Sequence, residues 1–167
     1  MTDIYDNLFS QSEQQSGLPS GMLNSVAQQE SNLNPRAVNQ RSGATGMMQI
    51  IARYHPGVED PTDPQQAIPY AGQYLSQNME RFGGDPKKAL AAYNWGPENV
   101  ANAVEKLGDD WLSAAPSETK NYVRNISQQL DPQGQIRTLT LRAPDGRTAT
   151  LTVPADASEQ EIRNKAM

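Results

Sequence analysis

A mainly α-helical domain followed by a small β-hairpin-plus-helix appendage is the fold the sequence predicts, and three observations predict it. Up to about residue 130, apolar side chains recur at three- and four-residue spacing, which gathers them on one face of a helix. Two Asp-Pro pairs, Asp63-Pro64 and Asp85-Pro86, have the cap-then-proline order of a helix start, and Gly96-Pro97 has the order of a helix stop. Beyond residue 130 the pattern becomes alternating: Leu139 and Leu141 among threonines, then Ala149, Leu151 and Val153, around the turn-forming Ala143-Pro144-Asp145-Gly146-Arg147.

Taken in order, residues 1–16 are polar with a weak helical pattern through Ile4, Leu8 and Phe9, and Gly17-Leu18-Pro19-Ser20 interrupts it. The following helix carries an apolar stripe of Leu23, Val26, Ala27 and Leu33, and Pro35 is expected to end it, because the residue before a proline is pushed out of the helical region. A loop rich in Asn, Ser and Gly (residues 39–46) leads into the apolar Met47-Met48-Gln49-Ile50-Ile51. After the turn cluster at residues 57–64, a helix carries Ala67, Ile68, Ala71, Tyr74, Leu75 and Met79. Another, started by Asp85-Pro86, carries Ala89, Leu90, Ala92 and Tyr93. Val100, Ala101, Val104 and Leu107 mark the next, closed by Gly108. Ser117 is expected to cap a last one, faced by Tyr122, Val123, Ile126 and Leu130. Ser158 and Glu161 have capping-box spacing for a short helix after the hairpin. The expected division is a domain over residues 1–130 and an appendage over 131–167. The appendage is too small to stand alone and is expected to pack on the main body or on a neighbouring chain. Because the sequence stops soon after that last helix begins, a longer parent protein is one reading.

Composition excludes several function classes. A net charge of -5 argues against nucleic acid or an anionic membrane surface as partner. Cysteine is absent, so neither disulfides nor thiolate chemistry is available. The single histidine, His55, lies in Tyr54-His55-Pro56-Gly57, which leaves little for a Ser-His triad or a histidine-rich metal site, and no cofactor is expected. No apolar run approaches membrane-spanning length, and the acidic N-terminus lacks the regions of a signal peptide. Carboxylates and polar aromatics must carry any catalysis.

Glu30 stands out among the carboxylates. At 3.6 residues per turn it falls on the apolar stripe of its helix, and desolvating a carboxylate favours its protonated, proton-donating form. That makes it a candidate general acid. The alternative is a Glu that snorkels out of the stripe or pairs with Arg36 or Arg41.

Four segments combine polar groups with tight turns: Glu30-Ser31, Gly43-Ala44-Thr45-Gly46-Met47-Met48-Gln49, Ala92-Tyr93-Asn94-Trp95-Gly96-Pro97 and Glu118-Thr119-Lys120-Asn121-Tyr122-Val123. Over residues 15–130, and including Phe82-Gly83-Gly84-Asp85, the chain resembles the soluble lytic transglycosylase family of the lysozyme-like superfamily, with a goose-lysozyme type of helical fold. The resemblance implies that Glu30 is the single catalytic acid and that Tyr93 is the tyrosine that hydrogen-bonds near it or near the sugar. It also implies that Ser31, Met48, Gln49, Asn94 and Tyr122 line or support a saccharide groove. Met47 replaces the family's usual Leu, a volume-conserving change. The loop before Gly46 is about one residue longer than usual, so Asn39, Gln40 and Ser42 all remain open for the groove-lining polar position.

The substrate so implied is the β-1,4 bond between N-acetylmuramic acid and N-acetylglucosamine in peptidoglycan glycan strands. Most glycosidases use two carboxylates. A transglycosylase manages with one, giving a 1,6-anhydro product. A lysozyme-type hydrolase using an acid near Glu59, Asp60 or Asp63 is the first alternative, although the proline neighbours of these acids suit turn and cap roles. A non-catalytic peptidoglycan-binding or virion structural protein is the second. A wall-directed enzyme without an export signal suggests a phage virion protein delivered with the particle, touching other virion proteins through its appendage. Specialised secretion is the alternative route. The remaining residues have plain readings as well: Tyr93 and Gln49 as buried packing, Tyr54 and Trp95 as core aromatics rather than platforms that stack on sugar faces, and Gly43 and Gly46 as ordinary turn residues.

Overall fold

The computed structural model describes residues 4–131, 136–142 and 148–154. The elements are α1 (Asp6–Ser16), α2 (Met22–Ser31), α3 (Pro64–Arg81), α4 (Pro86–Trp95), α5 (Pro97–Leu107), a 3-10 helix (Gly108–Ala114), α6 (Ser117–Leu130), β1 (Ile136–Arg142) and β2 (Thr148–Pro154). The mainly helical class is therefore as expected. The chain divides into two compact units between Ser76 and Gln77, a point that falls within α3.

In the first unit, α1 and α2 pack together over a core of Phe9, Met22, Leu23, Val26, Ala27, Met47, Met48, Ala67, Ile68 and Leu75. Gly72 permits a close approach here: a Cβ at that position would lie 2.9 Å from Ser16 Oγ and 3.4 Å from a methyl of Leu23. Residues 32–63 form turns rather than helix, joined by the isolated bridges Val38–Thr45 and Thr45–Ile50. Asp63 caps α3, its carboxylate accepting the Gln65 N–H at 2.9 Å.

In the second unit, α4 packs against α5 and α6, and α5 against the 3-10 helix. The core is Ala89, Leu90, Ala91, Ala92, Val100, Ala103, Trp111, Val123 and Ile126. The 3-10 helix, which buries Trp111, has no signal in the apolar spacing of the sequence. The two strands pair antiparallel, with Leu139 opposite Leu151 and Leu141 opposite Ala149. Thr150 N–H donates to the Gly83 carbonyl at 3.1 Å, tying β2 to the turn between α3 and α4. The expected turn at Ala143–Arg147 and the expected helix after Ser158 lie outside the described residues.

Two helix boundaries differ from expectation. The Glu30 helix stops at Ser31 rather than at Pro35, because Asn32 (φ 54°) and Leu33 (φ 61°) both take left-handed backbone. Their N–H groups close the end by donating to Gln28 O at 3.0 Å and Ala27 O at 3.3 Å. Leu33 therefore lies past the helix and does not extend its stripe. Ser117 is the first residue of α6 rather than its cap; Pro116 holds the cap position, and no side chain caps that end.

Candidate functional site

Most residues singled out by the sequence fall in the first unit, around the C-terminal end of α2 and the turn that follows it in space. Glu30 is the next-to-last residue of α2 and is half-buried. With the stripe ending early, the carboxylate lies at the margin of the apolar face rather than sealed within it. Next to it, Ser31 Oγ donates to the Met47 carbonyl at 2.8 Å, lies 3.2 Å from Ala27 O, and accepts the Asn34 N–H at 3.1 Å. The hydroxyl thus joins the end of α2 to the Gly46–Gln49 turn.

That turn depends on two unusual backbone conformations. Gly46 has φ 78°, and a Cβ there would fall 1.8 Å from the Pro61 carbonyl oxygen, so no side chain fits. Gln49 has φ 49°, a left-handed conformation uncommon outside glycine. Its half-buried amide Nε2 donates to Gly46 O at 2.9 Å, with Ala37 O at 3.5 Å. Met47 and Met48 are fully buried, so neither offers surface to a ligand. Of the loop residues left open by the sequence, Asn39 is exposed, and its Oδ1 accepts the N–H groups of Arg41 at 3.0 Å and Ser42 at 3.2 Å. Ser42 is half-buried and accepts the Ala44 N–H. Gln40 is exposed.

The nearby acids have local jobs. Asp60 accepts both the hydroxyl (2.6 Å) and the N–H (2.9 Å) of Thr62, bonds that hold its carboxyl below the usual range. Asp63 is spent on capping α3 and on Gln66 Nε2 at 3.1 Å. Glu59 is exposed. For Asp60 and Asp63 these are turn and cap roles, as their proline neighbours suggested. His55 contacts Tyr70, its Nδ1 3.0 Å from the Tyr70 hydroxyl, and stacks edge-on against Tyr70 and Tyr74. Burial pushes its pKa down and, with a lesser contribution from Tyr74, pushes that of Tyr70 up. Tyr54 is exposed, with the Arg53 guanidinium 4.6 Å from its ring centroid, so the core reading of this tyrosine does not hold.

In the second unit, Tyr93 and Asn94 are half-buried near the end of α4. Asn94 Oδ1 accepts the hydroxyl of Thr119 at 2.7 Å, which fastens α4 to α6. Tyr122 is buried on α6. Thr119 is itself buried, and its link to Asn94 is 25 residues distant in sequence, so no local pattern could reveal it.

One residue escaped the sequence reading entirely. Glu13 is 4% exposed on α1, yet its Oε2 accepts the Gly21 N–H and its Oε1 the Leu23 N–H, both at 2.8 Å. It reads in sequence as one more polar residue of a weak helix. The available signal was α2's own start, where Gly21 provides no capping side chain.

Comparison with known proteins places these features in context. Residues 7–110 match the model of the transglycosylase SLT domain. The chain is 29% identical to the peptidoglycan transglycosylase gp16 of Escherichia phage T7, over 96% of this chain and 13% of that protein. It is 30% identical to the soluble lytic murein transglycosylase of Escherichia coli (strain K12), over 73% of this chain and 22% of the relative. Among solved structures, an inactive Glu-to-Gln mutant of the lytic transglycosylase Slt from Pseudomonas aeruginosa matches with a TM-score of 0.68 at 25% identity. It covers 80% of this chain and 24% of that one. The chain thus spans under a third of the length of each of these three proteins.

Proposed function

The chain belongs to the transglycosylase SLT-domain family, and from that premise we propose that it cleaves peptidoglycan as a lytic transglycosylase, with Glu30 as its one catalytic carboxylate. The observation that carries this reading is the setting of Glu30: a half-buried carboxylate at the end of α2, beside a serine fastened to the Gly46–Gln49 turn.

Glu30 protonates the glycosidic oxygen of the β-1,4 bond as the bond to the N-acetylmuramic acid C1 breaks. The sugar's acetamido group stabilises the positive charge that develops there. Glu30, now a carboxylate, takes the proton from the same sugar's 6-hydroxyl as its oxygen bonds to C1, which closes the 1,6-anhydro ring and restores the acid. An attacking group tethered to the reacting sugar has a large effective concentration, so neither a bound water nor a second carboxylate is needed. Tyr93 assists this proton movement; Ser31, Asn39, Ser42, Gln49, Asn94 and Tyr122 bind or support the saccharide, and Met48 backs the groove. Residues 1–130 carry the reaction and 131–167 form the appendage.

The hydrolase alternative is disfavoured by the occupation of Asp60 and Asp63 in turn and cap hydrogen bonds. Digestion of purified sacculi followed by mass analysis of the muropeptides tests the reading. Anhydro-muropeptides are expected; reducing-end products alone would make the enzyme a hydrolase, and intact sacculi would overturn both. Glu30→Gln is expected to lower the rate on the order of 10³-fold while leaving the unfolding temperature within about 2 °C. The likeness to the phage T7 protein supports delivery in a virion, with the appendage meeting other virion proteins. Detection of the polypeptide by mass spectrometry in purified particles checks that step.

A further inference from the structure

We infer that Glu13 is a positioning residue for Glu30: its buried carboxylate holds the N-terminus of α2 and so sets where the other end of that short helix presents its acid. This rests on the proposed role of Glu30. The first four N–H groups of a helix lack intrahelical partners, and a side chain at the cap position usually takes one of them. At α2 the cap is Gly21, with φ 82° and no side chain to offer. Glu13, from a different helix, takes two of these donors at once, Gly21 N–H on one oxygen and Leu23 N–H on the other, both at 2.8 Å. The carboxylate also faces the positive end of the α2 dipole, which favours its negative charge.

The geometry is bidentate, and that matters for position as well as stability. A single bond to one N–H allows a helix to slide or rotate about it; two parallel bonds to residues two apart do not. Glu13 is 4% exposed, and among the described residues no cation pairs with it, so the two backbone N–H groups are the carboxylate's partners. The main chain of Glu13 also closes the end of α1, since Leu18 N–H donates to the Glu13 carbonyl at 2.9 Å. Side chain and main chain of one residue therefore fix both the α1–α2 connection and the start of α2. At the far end, ten residues on, Ser31 Oγ holds the Met47 carbonyl. Glu30 sits inside a helix pinned at its two ends by side-chain-to-backbone bonds, and releasing either pin lets it move. Displacement of a catalytic group by about 1 Å can cost on the order of 100-fold in rate.

Glu13→Gln tests this, because it keeps the size and removes the symmetry: one acceptor oxygen remains, and the new NH2 opposes a backbone N–H. Kinetics on sacculi are read well below both unfolding temperatures, together with amide hydrogen exchange of the free protein. The expected result is a kcat at least about tenfold lower with KM within about twofold. Exchange should be faster not only at Gly21 and Leu23 but also at Asn32 and Leu33, beyond Glu30. An unchanged kcat per folded molecule, or faster exchange confined to Gly21 and Leu23, would reduce Glu13 to a stabilising cap and overturn the inference. Should Glu13→Gln not fold, Glu13→Asp retains both oxygens and the charge on a shorter stem, and the same two readouts decide, with an intermediate loss expected. If the unaltered protein leaves sacculi intact, the proposed function fails by itself. The exchange at Asn32 and Leu33 still settles whether Glu13 governs the end of α2.

Discussion

Helices α2 and α4 are each ten residues long and each carries a proposed catalytic residue near its C-terminal end, Glu30 and Tyr93. They are built in opposite ways. α4 is specified by its own neighbourhood. Asp85 caps it by accepting the Lys87 N–H at 2.9 Å and the Lys88 N–H at 3.3 Å, Pro86 occupies the first turn, and Gly96-Pro97 ends it. α2 is held by groups outside its own sequence, Glu13 at its start and the Met47 carbonyl at its end, and only its stop, the left-handed Asn32 and Leu33, is local. A locally encoded helix tolerates change elsewhere in the molecule, whereas a helix held by remote partners moves with them. The acid therefore sits on the element whose position is the more sensitive to its surroundings.

Three changes, from large to small, test this contrast. Gly46→Ala should be severe, because its Cβ would meet the Pro61 carbonyl oxygen at 1.8 Å and the residue is already at φ 78°. A loss of about 3 kcal/mol or more is expected in urea unfolding, together with loss of activity through the turn that holds Ser31. A mild effect would mean that α2 does not depend on that turn. Asp85→Ala should cost about 1 kcal/mol, with Asp85→Asn restoring most of it, because the loss is local: the cap and the ion pair with Lys88 at 3.3 Å. Unfolding in urea reads both, and a loss comparable to that of Gly46→Ala would erase the distinction between the two helices.

The smallest effect concerns His55, in the same unit as α2. Burial holds its folded pKa below the ordinary 6.5, so the unfolded chain binds the proton more tightly. The stability contributed by the neutral ring is present above pH 6.5 and is lost as pH falls through 6.5 toward the lowered folded value. Because the ring is only half-buried, a few tenths of a kcal/mol are expected between about pH 7.5 and about pH 5. His55→Asn should flatten that part of the curve; an unaltered pH dependence would assign it to other groups.

Legibility in the sequence follows the same division. Asp63-Pro64, Asp85-Pro86 and Gly96-Pro97 could be read directly because capping and proline geometry act over a few residues. The two strands were readable because alternation has a period of two. The end of α2 was misplaced because Pro35 reads as the stop; Asn32 suits a left-handed cap, but nothing in Leu33 announces a second left-handed residue. Ser117 was misread because a serine before a helical pattern suits the cap and the first turn equally well. Of the proposed site residues, Glu30, Tyr93 and Gln49 were singled out from motif and pattern. Glu13 and Thr119 were not, since their roles depend on partners in other elements.

The sequence by itself determined the helical class, the hairpin, the family and the identity of the proposed acid, all of which follow from local periodicity and ordered motifs. Only the tertiary structure decided that Glu30 is half-buried rather than sealed, that Met48 is buried rather than exposed, and that a carboxylate on α1 holds the start of the helix that carries the proposed acid near its end. The physical reason is range. Propensity and capping act within a turn or two of the chain, whereas burial and the satisfaction of backbone donors are settled by whatever the folded chain brings alongside.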